Sequence, residues 1–296
     1  MRLLSRCPRH FSNFLILLFL SASLLSAETG FTVEKDLTYS NSGMTLDLFL
    51  PKEASTPVPC VIVIQGGGFN AQDGQRFRPF AEYLASHGFA AALIAYRGRP
   101  DHTYLDTMAD MKASVRFVRK VSGKYRIDPE RIGATGRSAG GTLAALLAVT
   151  GGMEDFEGSE GHAGFSSRIQ AAVAYAGVFD FVARFTDPRH IALQPNVKSK
   201  IESNGDWVGP AFSADNPEWI RASAIRHVDK NDPPTLFLQC KDDSTVLWLQ
   251  SQEMYEAMKS AGAEASIHYY EKGGHGFNGL AEEPMAEMVK FFREVL

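Results

Sequence analysis

Residues 131–150 read RIGATGRSAGGTLAALLAVT, and the fold turns on how that stretch is parsed. The run 132–135 is short and apolar; Gly136-Arg137-Ser138-Ala139-Gly140 follows, and an Ala/Leu-rich segment of helical character closes it. The parse is strand, sharp turn, helix, with a serine at the apex. A serine hydroxyl is a weak nucleophile unless it is held clear of the backbone, beside a base and near donors for an oxyanion. A turn that holds it so crowds the residues two before and two after it, which suits glycine, and Gly136 and Gly140 stand there. Gly141 would let the helix approach its neighbours closely. Five residues of this kind also occur in ordinary strand-to-helix connections, where Ser138 would only cap the helix. The rest of the chain has to decide.

Upstream, residues 60–64 (CVIVI) are apolar throughout, as in a strand covered on both faces. Gln65-Gly66-Gly67-Gly68-Phe69 follows directly. Consecutive glycines are costly in chain entropy, and serve either a tight turn or the close approach of backbone N–H groups to a ligand. With neither Gly-Lys-Ser/Thr nor Gly-x-Gly-x-x-Gly they do not form a phosphate loop. Taken with Ser138 they read as an oxyanion hole. Before them, 31–39 and 45–50 form a hairpin about Asn41-Ser42-Gly43. A helix over 76–87, a buried strand over 89–96, a helix over 105–121 and a connector over 123–129 lead to the opening stretch. Residues 168–176 make a further strand. Strands alternating with helices predict a mainly parallel sheet covered on both faces, with ligands bound beyond the carboxyl ends of the strands.

Residues 181–228 break this rhythm. They hold Pro188, Pro195, Pro210 and Pro217 and the aromatics Phe181, Phe185, Trp207, Phe212 and Trp219, with little periodicity. The segment reads as a cap or substrate wall at the active edge, where specificity would reside. It reads equally as a surface excursion whose aromatics cover the core. The alternation resumes with a strand over 235–240, Lys241-Asp242-Asp243-Ser244 and a helix over 247–261. A strand over 265–270, then Gly273-Gly274-His275-Gly276-Phe277 and a helix over 284–296 complete the chain.

An acid after one strand end and a histidine after the next give the chain order Ser, Asp, His. Of the eight histidines, His275 sits in a glycine-flanked loop directly after a strand, able to turn toward Ser138 as a general base. Asp243 is preferred to Asp242 because the 246–249 run then starts the next helix at a consistent offset. It would hold the imidazole tautomer without taking the proton. Asp180 is the runner-up acid.

Composition sets the bounds. The chain has 296 residues, 45% hydrophobic and 22% charged, and a formal charge of -4, without the basic footprint of a nucleic-acid binder. Arg2, Arg6 and Arg9, the apolar run 14–20 and the small residues of 21–27 form a secretory leader, cleaved after Ala27. The run is short of the ~20 apolar residues a membrane span needs. Removal of those three arginines leaves 27 basic residues against 34 acidic ones, a mature charge of -7. Cys7 would leave with the leader. Cys60 and Cys240, at the edges of strands, read as buried unpaired thiols, and no CxxC or Cys/His spacing suggests a metal site.

Taken together, these residues resemble the α/β-hydrolase superfamily across nearly all of 31–296. They are most similar to the bacterial feruloyl-esterase-like (BD-FAE) group, related to the hormone-sensitive-lipase-type carboxylesterases. The resemblance rests on Gln65-Gly66-Gly67-Gly68-Phe69 in place of a His-Gly-Gly-Gly-Trp-like motif, and on residues 125–132 (YRIDPERI) before the turn. It rests also on residues 136–141 (GRSAGG), Asn231-Asp232-Pro233-Pro234, Asp243 and Gly274-His275-Gly276-Phe277. It implies Ser138 as nucleophile, Asp243 as acid and His275 as base, with an oxyanion hole from Gly67, Gly68 and Ala139. It implies ester substrates, often acetyl or feruloyl groups on plant polysaccharides, and no cofactor. Phe69, Arg137 and Trp207 are candidate substrate contacts. Two residues depart from the pattern: Gln65 replaces the usual histidine, and Arg137 beside the nucleophile would suit an anionic substrate group or a surface ion pair.

The expectation is an exported serine hydrolase with one domain over 28–296. It would be a carboxylesterase on small or carbohydrate-linked esters, periplasmic or secreted, with neither cofactor nor metal. A prolyl-oligopeptidase-type peptidase shares the fold and triad, but the large N-terminal propeller is missing. A non-catalytic binding module on this scaffold would have no use for Ser138, Asp243 and His275 together.

Overall fold

The apolar runs of the chain become the strands of an eight-stranded sheet within residues 30–296, the part described by the structure, a computed structural model. The leader expected over 1–27 lies outside the described residues. In chain order the elements are β1 (Phe31–Thr38), β2 (Thr45–Pro51), β3 (Val58–Ile64), α1 (Arg78–Ser86), β4 (Ala90–Ile94) and α2 (Tyr104–Tyr125). Then come β5 (Ile127–Arg137), α3 (Ala139–Val149), α4 (Glu154–Glu157), β6 (Ala171–Tyr175), α5 (Phe181–Thr186) and α6 (Pro188–Leu193). They are followed by α7 (Val197–Val208), α8 (Pro217–Arg221), β7 (Thr235–Cys240), α9 (Trp248–Ala261), β8 (Ala265–Tyr270) and α10 (Glu283–Val295). The strand order is β1-β2-β4-β3-β5-β6-β7-β8. β2 pairs antiparallel with β1 and β4, and every other pairing is parallel.

The alternation of strand side chains divides the core into two layers. Cys60, Ile62 and Ile64 of β3 join a layer with Met108 and Met111 of α2 and Leu143 of α3. Val61 and Val63 face the other way, onto Ala81 and Leu84 of α1 and Met288 and Phe292 of α10. Helix α3 is buried at every position, which its Ala/Leu composition without a polar stripe requires. The parallel strands all end at one edge, so the loops after β3, β5, β7 and β8 meet there. Three of those loops carry the glycine run, Asp243 and His275, and Ser138 follows β5.

Two expectations are corrected. Residues 123–129 form no connector: α2 runs to Tyr125, and β5 begins at Ile127. Gly123 does not break the helix, because an interior glycine costs only about 1 kcal/mol relative to alanine. The helix is closed instead by Arg126 in the left-handed region, φ 54° and ψ 42°. Pro129 is accommodated where the β3/β5 register shifts between Val58 and Cys60.

The second correction concerns 181–228. Its aromatics organise short helices, α5 to α8, into a packed unit: Phe181, Phe185, Trp207 and Trp219 are all buried. No residue of the segment lines the cavity at Ser138, so it is no wall of that cavity. Within the segment His190 is buried against Glu253, Nε2 lying 3.0 Å from Oε2.

Candidate active site

The turn after β5 is held by absent side chains. A Cβ on Gly136 would lie 2.5 Å from the Gly140 carbonyl, and one on Gly140 would lie 2.1 Å from Ile64 O. A Cβ on Gly141 would lie 2.5 Å from Tyr175 O. Between them Ser138 adopts φ 60° and ψ -125°, a strained conformation that costs on the order of 1–3 kcal/mol. Its amide donates to Tyr175 O at 2.8 Å, which ties the apex to the end of β6. Ser138 stands at the N-cap position of α3, yet its side chain makes no capping bond. The hydroxyl turns instead to the imidazole.

His275 Nε2 lies 2.8 Å from Ser138 Oγ, and His275 Nδ1 lies 2.8 Å from Asp243 Oδ2. An ionised carboxylate only accepts, so Nδ1 carries the proton and Nε2 is left free to accept from the serine. Asp243 is buried, and its other oxygen takes the amides of Thr245 at 2.8 Å and Val246 at 3.0 Å. Gln239 Nε2 donates to Oδ2 at 3.3 Å. These bonds fix the orientation of the carboxylate. Asp180 is elsewhere: it accepts the amide of Ala183 at 2.8 Å at the start of α5 and pairs with Arg226 at 2.9 Å.

The glycine run reaches the same place. Gly66 passes so close to the turn that a Cβ there would lie 2.1 Å from Arg137 O. Gly68 has φ +61°. The amides of Gly67, Gly68 and Ala139 have no protein acceptor among the described residues. Gln65, standing where the resembling family carries histidine, anchors the loop. Its side chain bonds to that of Gln72 and accepts the Arg76 amide at 2.7 Å, and its carbonyl takes the Tyr96 hydroxyl at 2.5 Å.

A cavity of about 420 Å³ opens over these groups, lined by Gly67, Gly68, Ser138 and His275. Arg137 lines it, and so do Arg76, Phe77 and Thr245, which sequence reasoning missed. Arg76 carried no signal beyond its place near the start of a helix. Asp242, set aside as the weaker acid, takes the amides of Gly273 at 3.2 Å and Gly274 at 2.8 Å and so fixes the histidine loop. Phe69 and Trp207 are corrected as substrate contacts. They are stacked on each other, centroids 4.0 Å apart and planes 16° apart, and Trp207 has no exposed surface to offer.

Comparison with known proteins finds ester hydrolases. A family model described as BD-FAE matches residues 46–258. The solved structure of a truncated carbohydrate esterase from gut microbiota is 30% identical, with a TM-score of 0.80, covering 90% of this chain and 98% of that one. An acetyl ester-xyloside bifunctional hydrolase from Caldicellulosiruptor lactoaceticus is 26% identical, with a TM-score of 0.71, covering 85% of this chain and 88% of that one. Among curated proteins, the probable carboxylic ester hydrolase LipM of Mycobacterium tuberculosis is 28% identical over 71% of this chain and 47% of its own length. The chain spans about half the length of the curated relatives it matches.

Proposed function

The chain belongs to the BD-FAE family, and we propose on that premise that it is an exported serine carboxylesterase acting on small or carbohydrate-linked acyl esters. The observation that carries the reading is the unbroken relay from Ser138 Oγ through His275 to Asp243, with 2.8 Å at each step. Ser138 Oγ attacks the acyl carbonyl carbon while His275 Nε2 takes its proton. The carbonyl oxygen becomes an oxyanion facing the amides of Gly67, Gly68 and Ala139. Collapse breaks the bond to the alcohol oxygen, which receives the proton from Nε2 and leaves. Water, deprotonated by the same nitrogen, attacks the acyl-enzyme, and the acid departs with Ser138 restored. Asp243 stabilises the imidazolium formed in each half.

Carbohydrate esters are favoured by the relatives that act on them, the gut carbohydrate esterase and the acetyl ester-xyloside hydrolase. The test is hydrolysis of 4-nitrophenyl acetate and of acetylated xylan by the purified protein and by Ser138→Ala. Turnover by the parent and none by the variant is expected; equal rates would remove Ser138 from the mechanism. Export is checked separately: the full chain expressed in a secreting host should yield a mature N-terminus close to Glu28. An intact Met1 would rule out processing.

A further inference from the structure

The wall of the Ser138 cavity carries two guanidinium groups, Arg76 and Arg137, and among the described residues neither is paired with a carboxylate. Arg97 and Arg116, by contrast, meet Asp110 at 2.7 Å and Glu157 at 2.6 Å. Arg137 Nη1 donates to Gly276 O at 2.9 Å, and its guanidinium lies over the Phe77 ring, 5.4 Å from the centroid. Arg76 Nη2 donates to Gly66 O at 3.0 Å and to Gln72 Oε1 at 3.3 Å. All of these partners are neutral. The remaining N–H groups of both side chains have no protein acceptor among the described residues. The nearby acids are already engaged, Asp243 by His275 and Asp242 by the amides of Gly273 and Gly274.

Two like charges on one partly desolvated wall are unfavourable until an anion joins them. Arg137 registers this: burial lowers its pKa, and the charge of Arg76 pushes the same way against the opposing effect of Tyr175. The position also says which part of an ester would meet the pair. Arg137 directly precedes Ser138 and is tied to Gly276, the neighbour of His275. The leaving alcohol receives its proton from His275 Nε2, so the alcohol portion lies on the His275 side of Ser138, where Arg137 is tied to Gly276; Arg76, bonded to Gly66 O, closes the same wall from the glycine loop.

We infer that Arg76 and Arg137 form an anion subsite that takes a carboxylate on the alcohol portion of the ester, so that the preferred substrates are acyl esters of acidic carbohydrates. This rests on the esterase reading above. A planar guanidinium matches a carboxylate in two parallel N–H···O bonds, and two such groups at one cavity discriminate against a neutral sugar.

The experiment compares kcat/KM for 4-acetoxybenzoate and 4-acetoxybenzamide, which share the acetyl group and the phenol and differ in the carboxylate. The parent enzyme is expected to favour the carboxylate ester by about tenfold or more, as charged hydrogen bonds allow, with the ratio falling as salt is raised. In Arg76→Gln/Arg137→Gln the ratio should drop to about one, and Arg137→Lys should keep part of it. Because the readout is a ratio within each variant, slower turnover from a loosened loop does not enter. A parent ratio near one, or a preference that survives the double substitution, overturns the subsite. A preference found only when the carboxylate is on the acyl side, as in 4-nitrophenyl hydrogen succinate, overturns its placement. A binding arm separates this from the esterase reading: Ser138→Ala titrated with the unreactive 4-acetamidobenzoate should bind it about tenfold tighter than 4-acetamidobenzamide. Equal affinities there would overturn the subsite whatever the parent hydrolyses, whereas no turnover of either ester by the parent would count against the esterase reading alone.

Discussion

Asp243 illustrates how much of the site depends on single atoms. One oxygen orients His275 and the other is filled by the amides of Thr245 and Val246, so the carboxylate has one orientation and one task. Asp243→Asn keeps the shape but puts an N–H donor where Nδ1 needs an acceptor. A fall in kcat of about 10⁴ is expected with stability little changed; parallel assays and denaturant melts check both, and near-normal kcat would detach Asp243 from the relay. Gly140 is as constrained by what it lacks. Gly140→Ala places a methyl group 2.1 Å from Ile64 O, so either β3 or the turn must move. A loss of more than about 2 kcal/mol in unfolding free energy, together with loss of turnover, is the expected result. Both residues were legible in the sequence, Gly140 from its spacing to Ser138 and Asp243 from its place after a strand. Asp242 was not, because an acid's role in pinning backbone amides leaves no pattern of its own.

At the scale of elements, the segment from α5 to α8 works from behind. The Trp207 ring supports Phe69, which takes the unfavourable φ of 64° directly after Gly68. Trp207 Nε1 donates to Thr107 Oγ1 at 3.0 Å, which joins α7 to α2. Trp207→Ala should therefore cost about 3–5 kcal/mol of stability and lower kcat more than it raises KM, because the loss falls on oxyanion geometry. A raised KM at unchanged kcat would restore Trp207 to the substrate. The strands were legible because a run such as 60–64, buried on both faces, can be little else. These helices were not: α5, α6 and α8, of five or six residues, are too brief to show a period, and the stability of the unit comes from aromatic contacts between residues far apart in sequence. The end of α2 was misread for a related reason, since glycine in a helix interior weakens the helix without ending it.

For the whole molecule, the two cysteines report on the core. Cys60 and Cys240 are free and buried among the described residues, and burial raises the Cys60 thiol to about 12 and the Cys240 thiol to about 11, the latter aided by Asp242 and Asp243. An unfolded thiol ionises at its ordinary pKa of 9.0, so the folded state holds protons that the unfolded state loses. The contribution to stability is intact below that pH and is lost as pH rises through the folded values. Unfolding midpoints should fall between pH 8 and pH 11, and less steeply in Cys60→Val. An identical slope in the variant would mean that Cys60 takes no part. Thiol counting on denatured, unreduced protein lacking residues 1–27 should find two free thiols, and finding none would mean a disulfide joins them.

The sequence by itself determined what short-range chemistry sets: the alternation of strand and helix, the glycines that only a tight turn admits, and the order of serine, acid and base at strand ends. Tertiary structure alone decided that the Ser138 hydroxyl turns to His275 instead of capping α3, that Trp207 faces Phe69 and not the cavity, and that Arg76 and Arg137 share one wall. The reason is physical. Backbone preferences act over a few residues, whereas the direction of a side chain is set by whichever distant elements pack against it.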